Sequence, residues 1–265
     1  MKTLASEVHT VESAEAAATC GVLVTRLGGS YSRLLGIGLA SKDSDEVFKW
    51  LMAAVLLGAP IRAGRAIDAY AAFESRSLLR PGRLANASEA TVVQLLNCVS
   101  VQAYSSRIAA TLRSVAGSVE KDYDYDINRL HFFAEDAAGL EQRVRCLGTG
   151  LSRRVVAVFL REMRGVWEKV PQEFPPMAVE AARHLGLTEA RRLYEATDEL
   201  RDVWESAAHG ERTFSDFQAA LVRLGENYCS MRRCASCPMA KLCVSRLVAK
   251  RSADCAASSG REVVD

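Results

Sequence analysis

Four cysteines crowd into one short stretch near the C-terminal end of the chain: Cys229, Cys234, Cys237 and Cys243, spaced C-x4-C-x2-C-x5-C, with Pro238 directly after the third. Thiolates this close in sequence can close around a metal centre without help from distant residues, so the fold need only present one loop. Two kinds of centre compete for them. Structural zinc also takes four cysteines, usually as two separate C-x2-C knuckles. Here a single such pair is flanked by lone cysteines. A compact run of that kind suits an iron–sulfur cubane, in which each iron takes one thiolate. The spacing therefore favours a [4Fe-4S] cluster, with zinc as the less favoured alternative.

At 265 residues the chain has room for one large domain or two modest ones. Its 49% apolar and 25% charged residues allow a sizeable core. The longest apolar run, Trp50 to Ala59, is about half the ~20 residues a bilayer span requires and reads as a buried helix. The N-terminus lacks the apolar stretch of a signal peptide. These features predict a soluble intracellular protein, cytoplasmic or nucleoid-associated, with no membrane partner. Of the eight cysteines, the four outside the cluster are scattered: Cys20, Cys98, Cys146 and Cys255. Cys98 and Cys146 stand in apolar surroundings and read as packed thiols.

Net charge is only +2, but its distribution is uneven. Arg223 to Arg251 carries seven basic residues (Arg223, Arg232, Arg233, Lys241, Arg246, Lys250 and Arg251) against the single acid Glu226. A second basic knot surrounds Ser152: Arg143, Arg145, Arg153, Arg154, Arg161 and Arg164. Two local patches on a near-neutral chain point to a localised anionic partner, although each alone is also what a solvated helix face looks like.

Apolar positions recur at three and four residues almost throughout, and alternating Val- and Ile-rich runs are missing, so the class is all-α. Ser44 or Asp45 can cap a helix that ends near Gly58 and Pro60. Helices are predicted over 61–74, from an N-cap at Ser88 toward Val99, and over 105–116, 126–133, 140–147, 152–163, 177–184, 188–207 and 214–224. The proline-bracketed stretch Val166–Pro176 cannot be regular helix and is the best internal boundary. Residues 252–265 read as a polar, disordered tail. The DYDYD run at Asp122, Asp124 and Asp126 imitates a calcium loop, but it lacks the glycine and the terminal Glu, so it reads as an acidic loop. His9, His131, His184 and His209 form no ligand pair at helical spacing and read as structural or exposed.

The second informative motif is Leu147-Gly148-Thr149-Gly150-Leu151-Ser152, where one helix ends and another begins. The glycines allow positive φ and the close approach of a phosphate. The free amides of the next helix, helped by its dipole and by Arg153 and Arg154, can then hold that phosphate without reading sequence. A plain glycine-rich turn between packed helices has the same composition.

Together the hairpin and the cysteine array resemble the helix–hairpin–helix DNA glycosylase superfamily, specifically its iron–sulfur, endonuclease III-like branch. The likeness runs from about Asp45 to Cys243. Leu56-Leu57-Gly58-Ala59 is similar to the family's L-L-S-A-like helix end. Gln102-Ala103-Tyr104-Ser105-Ser106-Arg107 is similar to its G-x-Y-x-x-K segment, with Gln for Gly and Arg for Lys. Gly225 stands four residues before the first cysteine, as in the family. The resemblance implies two helical lobes gripping double-stranded DNA. Residues 45–165 would form a barrel lobe holding the helix–hairpin–helix motif, and 1–44 with 166–251 a lobe holding the C-terminal iron–sulfur loop. It implies DNA contacts from Gly148, Thr149, Gly150, Ser152, Arg153 and Arg154, from Arg232 and Arg233 in the cysteine loop, and from Tyr104. A monomer is expected.

The departures shape the functional expectation. The first cysteine gap is four residues where the family usually has six. Bifunctional members carry a nucleophilic Lys where this chain has Ser152, so Schiff-base lyase chemistry is not available there. The family's catalytic Asp falls about ten residues before an L-G pair; counting back from Leu185-Gly186 reaches Pro175, and no Asp occurs between Asp136 and Asp198. A glycosylase needs a carboxylate to stabilise the oxocarbenium charge or to activate water, and Glu173 is the candidate, with Gln172 as a weaker water-orienting alternative. The expected function is a monofunctional DNA glycosylase of base-excision repair, with a non-catalytic iron–sulfur DNA-binding protein as the alternative and an electron carrier as a third. Tyr104, Trp50, Trp167 or Trp204 could stack on a base, although buried packing is the commoner fate of such side chains.

Overall fold

In the computed structural model the described residues are 2–206 and 208–246, with side chains from 15 onward. Among them every regular element is helical, which bears out the all-α class. In chain order the α-helices are α1 (Lys2–Leu27), α2 (Tyr31–Leu34), α3 (Ser44–Gly58), α4 (Ala63–Ser75), α5 (Pro81–Asn86), α6 (Glu89–Cys98), α7 (Ser105–Tyr123), α8 (Arg129–Phe133), α9 (Ala137–Cys146), α10 (Arg153–Glu162), α11 (Pro176–His184), α12 (Leu193–Glu205) and α13 (Phe214–Leu224). Short 3-10 turns at Leu39–Ser41 and Gln102–Tyr104, and a π turn at Gly225–Cys229, complete the set. No helix among the described residues is long and apolar enough to cross a membrane. Lys250, Arg251, Cys255, the tail 252–265 and the side chain of His9 lie outside the described residues.

The chain divides into two compact units. One runs from Tyr31 to Pro171; the other joins the residues up to Ser30 with those from Gln172 on. The expected boundaries, near 44 and 165, differ from these for a physical reason at each end. Glu162, buried at the end of α10, accepts hydrogen bonds from the amides of Tyr31 (2.7 Å) and Ser32 (2.8 Å), which fastens 31 onward to the central unit. Residues 166–171 stay there because Trp167 Nε1 donates to Asn128 Oδ1 (2.8 Å) and Arg164 Nε donates to the Pro171 carbonyl (3.0 Å).

The central unit is built around α3, of whose fifteen residues eleven are buried. A helix apolar on all sides can only be a core helix. Its cap is Asp43, not Ser44 or Asp45: the Asp43 carboxylate accepts from the amides of Asp45 and Glu46. Helix α10 lies against α3. Trp50 Nε1 donates to the Phe159 carbonyl (3.0 Å), and a Cβ added at Gly58 would stand 2.6 Å from Val155 Cγ2. Helix α7 outruns its expected end because the buried stripe Ile108, Leu112, Val115 and Val119 continues through it. It stops where Asp124 and Tyr125 turn left-handed (φ 52° and 65°), inside the acidic loop. There Asp124 pairs with Arg129 and Asp126 accepts from the Asn128 amide. Cys98 and Cys146 are exposed, which corrects their reading as packed thiols: each is the last residue of its helix, past the buried stripe.

The other unit packs α13 against α1 and α11, with α12 alongside. Helix α1 was not anticipated, because its buried face uses the small or weakly apolar Ala17 and Cys20 before Leu23 and Val24. Burial pushes the Cys20 thiol up to about 12, as for an inert core residue. Helix α12 begins at Leu193 instead of Thr188. The preceding turn is held irregular by Thr188, whose hydroxyl bonds Glu199, and by Arg183, which donates to the Ala190 carbonyl. Trp204 stacks between His209 (3.8 Å) and Phe217 (5.2 Å). All three tryptophans are buried and so are closed to base stacking.

Asp216 ties this unit together. It completes a capping box with Thr213 at the start of α13, and its carboxylate also accepts the amide (2.7 Å) and hydroxyl (3.0 Å) of Ser30. Burial raises its pKa, but these hydrogen bonds outweigh burial and hold it below the ordinary carboxylate value. Asp216→Asn turns an amide donor toward groups that are themselves donors. It is expected to cost about 2–4 kcal/mol in chemical denaturation; a loss under 0.5 kcal/mol would remove Asp216 from this role.

His131 supplies a pH-dependent contact in the central unit. It stacks on Trp167 (5.7 Å) and its Nε2 accepts the Lys169 amide (3.2 Å). Burial, then the Lys169 charge, lower its pKa below the ordinary imidazole value. The unfolded chain therefore protonates first. This contribution is present above pH ~6.5 and is lost as pH falls from there through the lower folded pKa. Denaturation midpoints between pH 7.5 and 5 should fall, and His131→Gln should flatten that slope.

Candidate functional site

Two local arrangements gather the chemistry, one in each unit. In the unit formed by the chain ends, α13 runs straight into the π turn, in which the Ser230 amide bonds the Gly225 carbonyl (2.9 Å). π turns of this kind often accompany functional sites. Gly225 is required here: a Cβ would collide with the backbone carbonyl of Met177 in α11. The loop beyond folds on itself. The Arg232 amide reaches the Cys229 carbonyl (3.0 Å), with Arg232 left-handed at φ 51°, and the Arg233 amide reaches Tyr228 (2.9 Å). The Ala240 amide reaches the Cys237 carbonyl (3.1 Å), and the buried Met239 anchors the loop in the core.

The result is a cavity of about 390 Å³ lined by all four cysteines, Cys229, Cys234, Cys237 and Cys243. Met177, Glu180, His184, Arg232 and Arg246 share its wall. Burial, followed by the charges of Cys237, Cys243 and Cys234 and then of Glu180, pushes the Cys229 thiol up to about 11. Burial likewise raises Cys237, partly offset by the Met239 amide and by Arg246. Four thiolates gathered this way repel one another, so their deprotonated form needs a cationic centre between them. Among the described residues, no three Cys, His, Asp or Glu side chains converge on a position fit for one metal ion. The donor set is soft and entirely sulfur, which suits zinc or iron–sulfur centres.

The structure places in this wall two residues that the sequence reading assigned elsewhere, His184 as structural or exposed and Arg246 to a basic patch. His184 Nε2 lies 3.2 Å from Glu180 Oε1, one helical turn away on α11. Their i, i+4 spacing was visible, but the same spacing marks countless surface ion pairs. Arg246 Nη1 donates to the Cys234 carbonyl (2.8 Å) and closes the loop end upon its start.

In the central unit, α9 and α10 flank the glycine turn. Gly148 and Gly150 are left-handed (φ 70° and 85°). Their close approach, however, is to α7: a Cβ on Gly148 would stand 2.7 Å from the Val115 amide nitrogen, and one on Gly150 would strike Thr111 Oγ1. Thr149 is likewise committed within the unit. Its amide (2.9 Å) and hydroxyl (3.1 Å) both donate to Ser114 Oγ, so its N–H is spoken for. The turn is buttressed by α7, and no feature of its own sequence announced Ser114 as the partner.

What this leaves open is the start of α10. Ser152 caps it, accepting from the Val155 amide (3.3 Å). The amides of Arg153 and Arg154 have no hydrogen-bond partner among the described residues, and both side chains are exposed. Arg143 and Arg145 are also exposed and form no ion pair among the described residues. Arg164 instead turns inward, its pKa pushed down to about 10 by burial and by Arg161 beside it.

Tyr104 is 40% exposed, just before α7. Arg232 lines the cysteine cavity, and Arg233 is exposed on its loop. Glu173 and Gln172 are exposed between the prolines that precede α11, and Glu173 has no hydrogen bond or ion pair among the described residues. No protein-family model matches the chain, and no curated protein matches it.

The two glycines of the turn are expected to differ in tolerance. Gly148→Ala meets helix backbone as well as left-handed strain, and should cost about 2–4 kcal/mol. Gly150→Ala meets one side chain and should cost about 1–2 kcal/mol, part of it recovered by a second change, Thr111→Ala. Equal costs in urea titrations would contradict the buttressing by α7.

Proposed function

We propose that this chain is an iron–sulfur DNA-binding protein that acts as a monofunctional DNA glycosylase in base-excision repair. The observation that carries the reading is a cavity lined by all four cysteines, Cys229, Cys234, Cys237 and Cys243. One C-x2-C pair flanked by lone cysteines suits a [4Fe-4S] cluster, where each iron takes its own thiolate, better than zinc, which usually takes two separate C-x2-C knuckles. Cys229, Cys234, Cys237 and Cys243 would hold the cluster, which when bound would cross-link the loop through four iron–thiolate bonds.

Support for a nucleic-acid partner comes from the start of α10. Two amides at a helix N-terminus, capped by Ser152, and the exposed cations Arg153, Arg154, Arg143 and Arg145, all without a partner among the described residues, form an anion site that suits a phosphodiester backbone. Thr149 buttresses that site instead of donating its amide to it. In the proposed reaction Tyr104 stacks against the displaced strand or its bases. Glu173 supplies the carboxylate that stabilises positive charge at the sugar or takes a proton from the attacking water. Ser152 stands where a lyase would need an amine, so the product is an intact abasic site.

The second reading, a non-catalytic iron–sulfur DNA-binding protein, is favoured by one observation. Glu173 is a solvent-exposed carboxylate without a partner among the described residues to orient it.

Purified protein is expected to be yellow-brown with about four irons per chain, and Cys→Ser at any of the four positions to lower that number. A colourless protein with one zinc would sink the cluster assignment. On a panel of lesion-bearing and mismatched duplexes, base release should appear as strand cleavage only after alkali. It should be lost in Glu173→Gln while duplex binding persists. Binding without base release across the panel selects the non-catalytic reading. Arg153→Gln and Arg154→Gln should each reduce the slope of log affinity against log salt by about one unit.

A further inference from the structure

The cysteine loop also borders a second space, a cleft of about 490 Å³ whose charged walls are Arg26, Lys241 and Arg246, with no carboxylate among its lining residues. Arg26 comes from the last turn of α1 and the other two from the loop and its end. The two arginines are fixed in place. Arg26 Nη1 donates to the Pro238 carbonyl (2.5 Å) and Arg246 Nη1 to the Cys234 carbonyl (2.8 Å). Each guanidinium carries five N–H donors, so most remain free. Lys241 is exposed and makes no hydrogen bond or ion pair among the described residues. Among the described residues none of the three cations faces a carboxylate partner, unlike Arg65, Arg129 and Arg183 elsewhere in the chain.

Three like charges line one cleft with no counter-charge among the described residues, and two of them are tethered to loop carbonyls, Arg26 at Pro238 and Arg246 at Cys234. Such an arrangement is stabilised by an anion that several donors can share. We propose that this cleft is a phosphate-binding site, taking the oxyanion of a phosphate monoester or diester. A phosphate group suits it better than a carboxylate. It presents more acceptor oxygens and, as a monoester, up to two negative charges, and guanidinium forks match its geometry. The cleft is larger than one phosphate group, so it leaves room for the moiety that carries it. The site stands on the unit formed by the chain ends alone and does not depend on base-excision activity or on the hairpin. Its ligand is either a small phosphorylated molecule or a nucleic-acid strand, which share this chemistry.

The test uses the full chain as purified, with its metal content measured for each variant. Inorganic phosphate is titrated by calorimetry into the wild type, Lys241→Gln, Arg26→Gln and, as a control, Arg65→Gln. Lys241→Gln is the informative variant, because that side chain holds nothing in the fold. Saturable binding that Lys241→Gln and Arg26→Gln each weaken at least about tenfold, with metal content and the Arg65→Gln control unchanged, is the expected result. No saturable binding by the wild type, or binding that Lys241→Gln leaves intact, overturns the proposal. Competition then separates the sources. Displacement by a nucleoside 5′-monophosphate but not by an oligonucleotide lacking terminal phosphates assigns a small monoester, and the reverse assigns a phosphodiester strand.

Discussion

The buried carboxylate of Asp216 is the constraint on which the unit formed by the chain ends depends. It starts α13 through the capping box and fixes the chain at Ser30, a contact across 186 residues of sequence. A solvent-exposed ion pair contributes little to stability, but a buried carboxylate that accepts from two amides and two hydroxyls is fully satisfied and correspondingly hard to rearrange. With α13 set, the π turn that extends it has one place to go. Gly225 lets it pass against Met177, and Cys229 is delivered to the wall of the cavity.

Electrostatics inside that cavity are divided. Glu180 and the neighbouring thiols oppose ionisation of Cys229, while Arg246 favours it at Cys237. Arg246 belongs to both spaces around the loop, bordering the cysteines and the basic cleft while it holds the Cys234 carbonyl. One side chain thus combines a structural hydrogen bond with charge compensation, and replacing it disturbs both at once.

Much of the helical plan was legible because it rests on local signals. Ser88 is an N-cap as read, and α13 has its expected bounds, since each signal lies within a few residues of the element it controls. Asp43 was an equally good cap that the adjacent Ser44 and Asp45 obscured. The candidate sites were less legible for the converse reason. The clustering of four cysteines on one loop needs no tertiary information, and Gly225 could be noted from its position, but the steric reason for it lies on α11. That Thr149 would spend its amide on Ser114 could not be read at all, because the partner is a single hydroxyl 35 residues away on a helix with no distinguishing pattern. His184 read as structural or exposed until the fold placed it with Glu180 beside the thiols.

The discontinuity of the chain-end unit has a consequence for the order in which this protein can be made. Helix α1 leaves the ribosome before the rest of its unit, with Leu23 and Val24 destined for a core whose other half, including Phe217 and Leu221, follows much later in the sequence. At roughly 5–20 residues per second, about ten to forty seconds separate the two halves during synthesis. The residues from Tyr31 to Pro171 form a contiguous unit with their own core and can collapse in that interval. The small, weakly apolar face of α1 presents little sticky surface to other nascent chains while it waits. The cysteine loop emerges last of all the described residues, so a metal delivered to it would meet a unit whose helices are already complete.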